Sequence, residues 1–83
     1  MNTALMQLKM ELANSKQKFS QNELRLKRLF FELQALSNPY YTSIKSIKAE
    51  EIEQCAQEMI EVKYELLTLE EKIEEIMNEL GAA

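Results

Sequence analysis

Apolar residues recur along this chain at alternating steps of three and four, in two long runs. The first is Leu5, Leu8, Leu12, Ser15, Phe19, Asn22, Leu26, Leu29, Leu33 and Leu36, with two polar members. The second is Ile52, Cys55, Met59, Val62, Leu66, Leu69, Ile73, Ile76 and Leu80, with none. Such spacing is the a/d seam of a heptad, so each run predicts a long helix with one face built to pack on another helix. Between the runs, Ser37-Asn38-Pro39 breaks the pattern. Proline donates no backbone hydrogen bond and disfavours helical geometry in the residue before it. The expected order is helix one over about 3–37, a turn over about 38–43 and helix two over about 44–80, all in one domain spanning 1–83. Two helices joined by a short turn must run antiparallel. The fold class is therefore all-α: a long antiparallel helical hairpin, or two-helix coiled coil.

The ends and the middle of each run refine this picture. Asn2 or Thr3 is the expected cap of helix one. Helix two has two possible starts. Asn38 could cap it with Pro39 at the first position, or Thr42, Ser43 or Ser46 could cap it after a loop. Ile44 and Ile47 suit a helix but are out of step with the seam that begins at Ile52. Glu50, Glu51 and Glu53 place negative charge where an N-terminal helix dipole favours it. Gly81 suits a C′ position. In helix one, Ser15 and Asn22 leave the middle of the seam loosely packed or wet; alternatively, Asn22 sets register or oligomer state at a cost in stability.

Two pairings keep seam against seam. In one, the numbers of facing residues add to 81, so that Leu26 meets Cys55 and Phe19 meets Val62. In the other they add to 88, so that Leu33 meets Cys55 and Leu36 meets Ile52. The first uses the whole chain with a short connection, which is the commoner arrangement, and is the expected one.

Composition agrees with a helical chain. Among 83 residues there is one glycine, Gly81, and one proline, Pro39. Charge is divided between the helices. Residues 1–36 carry six Lys or Arg against three Glu, 37–49 add Lys45 and Lys48, and 50–83 carry eleven Glu against Lys63 and Lys72, for a net charge of −4. A basic helix and an acidic one attract, and two copies of the acidic helix repel.

Not all apolar residues belong to the seams. Ala56, Ile60, Tyr64 and Leu67 form a second stripe on helix two. Leu24, Phe30 and Phe31 lie off the seam of helix one, as do Met6 and Met10. A two-helix monomer has nowhere to bury them, and apolar patches on a surface mark contact sites. Burying one such side chain contributes about 1.5–3 kcal/mol. Leu24, Phe30, Phe31, Ala56, Ile60, Tyr64 and Leu67 are therefore the candidate interface, and the expected state is a homodimer that closes as a four-helix bundle. In plan, though in no specific motif, the chain resembles the Rop-like dimers of helical hairpins and the small bacterial helical-hairpin proteins without an assigned activity. The resemblance spans residues 3–80 as architecture, and no functional residue carries over from it.

Chemistry is sparse. The chain has no histidine, which removes histidine-based nucleophilic catalysis, the usual Cys/His zinc sites and the Glu-x-x-His di-iron pattern. One glycine cannot build a phosphate loop. The glutamate pairs, such as Glu70/Glu71 and Glu74/Glu75, read as a solvated helix face. Cys55, alone and on a seam, reads as a buried inert thiol. No catalytic residue, metal or cofactor is expected, and the chain is not expected to be an enzyme. No apolar run is long enough to span a bilayer, and Met1 to Leu12 lacks the layout of a secretory signal, so a cytoplasmic protein with no membrane partner is expected. The function this implies is a protein–protein interaction module: a small adaptor, chaperone-like or assembly factor. The alternative is nucleic-acid (RNA) binding, with Lys16, Lys18, Arg25, Lys27 and Arg28 of two protomers forming a basic ridge. The net charge and the nearby glutamates oppose it.

Overall fold

The computed structural model describes residues 3–38, 40 and 43–81. Helix α1 spans Thr3–Leu36 and helix α2 spans Ala49–Gly81, with a 3-10 turn at Ile44–Ser46 between them. At 1.5 Å per residue each helix is about 50 Å long. They pack side by side as an antiparallel hairpin whose long axis is 66 Å and whose cross-section is 15 × 14 Å.

The heptad seams are the core. Every seam residue of both helices is buried or half-buried, and in α1 no other residue is. Leu29, Cys55 and Val62 form its centre, flanked by Leu26, Leu33, Leu36, Met59 and Leu66. Val62 has no exposed surface at all. The two polar seam residues differ. Ser15 is buried, because its side chain is small enough to lie beneath the facing helix, whereas Asn22 is only half-buried.

The connection and the register depart from expectation together. Helix α2 begins at Ala49 and not near residue 44. Ser46 N–H donates to the Ser43 carbonyl at 3.0 Å, and the two serine hydroxyls bond each other at 2.9 Å. These bonds close a separate 3-10 turn, and Ile47 is extended after it, with φ −63° and ψ 131°. Ser43 and Ser46 thus use their hydroxyls within the loop. The first helical carbonyl of α2 is that of Lys48, which accepts from Ile52 N–H at 3.0 Å. The dipole is instead complemented by Glu50 and Glu51 in the first turn.

At the other end of the loop, Ser37 closes α1. Its N–H and its hydroxyl both donate to the Leu33 carbonyl, at 3.0 and 2.7 Å. The Asn38 side-chain oxygen accepts from Tyr40 N–H at 3.0 Å, an Asx turn in place of a helix cap. The expected roles of Asn2, Pro39 and Thr42, and the side chain of Ile44, lie outside the described residues. Gly81 is the last residue of α2, with a negative φ, so it is not a left-handed cap.

A connection covering 37–48 does not force the helix ends together, and the packing follows the second pairing. The Cys55 thiol donates to the Leu29 carbonyl at 3.2 Å. It also senses Glu32 and the Leu33 backbone. Leu33 and Leu36 pack against the cluster of Leu29, Cys55 and Val62, and Leu29, Glu32, Leu33 and Leu36 have the i, i+3, i+4, i+7 spacing of one hole in a helix surface, which a Cys55 knob would fill. The centre of that hole gives a pairing sum near 88. The expected sum of 81, with Leu26 facing Cys55, is corrected accordingly.

Candidate interaction surface

Packing two helices leaves a groove along each face of the hairpin, and the two grooves have different linings. The first is lined by Phe19, Leu26, Leu33, Met59 and Leu66 from the seam. Phe30, Ala56, Ile60 and Leu67 form its walls, and Glu23, Lys27, Lys63 and Glu70 its rim. It spans 19–33 of α1 and 56–70 of α2, four turns of each. Ile60 is 54 % exposed, Phe30 47 % and Leu67 46 %. These are large apolar side chains presented to solvent beside one another. The second groove is lined by Lys18, Gln21, Asn22, Glu61, Tyr64, Glu65, Thr68 and Leu69, and is mostly polar.

The structure sorts the candidate residues between these surfaces. Phe30, Ala56, Ile60 and Leu67 share the apolar groove. Tyr64 does not: it lines the polar one. Leu24 and Phe31 are exposed but line neither groove. Seven residues apart, they sit on the outer side of α1. The Phe31 ring meets the Phe30 ring edge-on, with centroids 6.1 Å apart and planes at 66°. The stripe on α2 is better written Ala56, Ile60, Lys63, Leu67 and Glu70. Its steps of four, three, four and three run parallel to the seam and would have revealed the groove. Following apolar character alone led to Tyr64 and passed over Lys63.

The basic residues of α1 are dispersed. Lys27 lies at the rim of the apolar groove and Lys18 in the polar one. Arg25 follows Lys18 by seven residues and shares its side. Lys16 precedes Lys27 by eleven, three helical turns, and shares the other. One hairpin thus brings no single basic ridge together.

Cys55 lies under the seam, 5 % exposed. Burial pushes its thiol above the usual range; Glu32 and then Glu58 add to the effect, and the Leu33 backbone opposes it. A neutral thiol bonded to a carbonyl is a packing element with little nucleophilic character. Among the described residues, no three acidic, histidine or cysteine side chains are placed to hold a metal ion, and no helix is long and apolar enough to cross a membrane. No family model matches the chain, and no curated protein or solved structure matches it either.

Proposed function

We propose that this hairpin is a non-enzymatic protein–protein interaction module that works through its helix faces, as a small adaptor, chaperone-like or assembly factor, and that its first partner is itself. The observation that carries the reading is the apolar groove, with Phe30, Ile60 and Leu67 exposed along four turns of both helices. A patch of that kind on a molecule only two helices thick is a contact surface in search of a lid. Covering it completes the burial that the seam begins, and two hairpins face to face make a four-helix bundle. The resemblance in plan to Rop-like dimers fits this reading.

The test is the solution mass, measured by light scattering over a hundredfold range of concentration. A dimer that persists to low micromolar concentration is expected. A folded monomer throughout that range would overturn self-association and turn the groove into a site for a different protein.

A further inference from the structure

Two copies can bring their apolar faces together about a two-fold axis in two ways. With the axis across the helices, α1 lies on the partner's α1 and α2 on the partner's α2. With the axis along the helices, each α1 lies antiparallel on the partner's α2, and both connections sit at the same end. The geometry points to the second arrangement: a second copy of this chain occupies the apolar groove with its loop beside the first loop. This rests on reading the apolar face as a contact surface and adds the identity and direction of what covers it.

Charge chooses between the two. Helix α1 carries six Lys or Arg against three Glu, whereas α2 carries eleven Glu against two Lys. The first arrangement lays the acidic helix along itself for its full length; the second lays each acidic helix on a basic one. The individual pairs agree. Rotation about an axis along the helices preserves height, so a residue of α1 stands level with the same α2 position it faces within its own hairpin. With facing numbers adding to 88, Glu23 falls between the partner's Lys63 and the partner's Leu67. Lys16 falls between the partner's Glu70 and the partner's Glu74. Phe30 falls between the partner's Ala56 and the partner's Ile60. Glu23 and Lys16 thus meet opposite charge, Lys27 falls between the partner's Ile60 and the partner's Lys63, and apolar groups meet at Phe30.

The size is adequate as well. The apolar groove, about 22 Å long over four turns, is the centre of a hairpin side about 50 Å long and 15 Å wide. The whole side offers on the order of 750 Å², close to the roughly 800 Å² per partner of a standard interface with an apolar centre and a polar rim.

The direction is read by spin labels at Ser43→Cys in a Cys55→Ala background, with light scattering on the same sample. Labels in the proposed dimer lie within about 20–30 Å, the width of four helices packed 8–10 Å apart. Loops at opposite ends would put them near the 66 Å long axis. The face is read separately. Lys63→Glu should weaken the dimer about three- to tenfold, within the range of exposed ion pairs counted twice by symmetry. Mixing that variant with Glu23→Lys chains should restore dimers, because in the mixed dimer positions 23 and 63 carry opposite charges at both contacts between chains. A dimer with long label distances, or one indifferent to the Lys63 exchange, overturns the arrangement while leaving self-association standing. A monomer in light scattering removes both.

Discussion

The two faces of the hairpin share one seam and differ in almost everything else. On one side the residues flanking the seam are Phe30, Ala56, Ile60 and Leu67, with single charges between them. On the other they are Lys18, Gln21, Glu61, Glu65 and Thr68. Even the half-buried Asn22 opens to this second side. The seam decides that there is a hairpin; the flanking positions decide which side of it stays in water. A symmetric two-helix rod would have two equivalent surfaces and no reason to associate in one way. Here one face is open and apolar and the other open and polar.

The harshest way to break the contrast is to remove what both faces share. Val62 is fully enclosed between the helices, and Val62→Asp would place a carboxylate there with no partner. Burying an unpaired charge or polar group in a core costs about 4 kcal/mol or more. A domain of this size has little beyond that to lose. The expected outcome is loss of most helical circular dichroism at 25 °C, and retention of a cooperative thermal transition would show that the seam is not the core.

A milder change separates the faces. Ile60→Glu with Leu67→Glu removes two apolar groups from one groove and leaves the seam intact. Each group contributes about 1.5–3 kcal/mol when buried, so the dissociation constant of the dimer should rise at least about a hundredfold, with helicity kept. Thr68→Glu adds one such charge to the polar face. Its hydroxyl bonds only its own helix, donating to the Tyr64 carbonyl at 2.9 Å. The dissociation constant should then move by less than about twofold, the scale of a solvent-exposed charge change. Equal responses to the two changes would mean that the faces are not distinct.

The hairpin was legible in the sequence because heptad spacing is a local signal, and every seam residue it named is buried or half-buried. The register was not. Both candidate pairings bring seam to seam, and what decides between them is the length of the connection. That length depends on how Ser43 and Ser46 spend their hydroxyls, a choice between a helix cap and a self-contained 3-10 turn that the same residues permit equally. The apolar groove was half legible. Of the apolar residues that lie off the seams, Leu24, Phe30, Phe31, Ile60, Tyr64 and Leu67 are exposed and Ala56 is half-buried, but apolar character does not say which side of a helix a residue is on. Tyr64 looks like a neighbour of Ile60 and Leu67 in composition, and Lys63 is their neighbour in space.

The smallest effect reads how far the polar face reaches into the seam. Glu58 precedes Glu61 and Glu65 by three and seven residues, and Glu32 follows Lys18 by fourteen, so both stand on the polar side. Both hold the Cys55 thiol above its usual range, after burial itself. The raised value means that the folded state prefers the neutral thiol. Its contribution to stability is complete below the free-thiol range, about 8.5, and is lost as pH climbs from there through the folded value. Urea midpoints should therefore fall more steeply above pH 8.5 for the native chain than for Cys55→Ser, which keeps a donor for the Leu29 carbonyl and does not titrate. Glu32→Gln and Glu58→Gln should each shrink that difference and speed alkylation of Cys55 at fixed pH, since each removes a charge that opposes the thiolate. Glu70→Gln, on the rim of the apolar groove, should leave both unchanged. If it acted as strongly as Glu58→Gln, the thiol would be sensing the net charge of α2 and not the side of the hairpin on which each carboxylate stands.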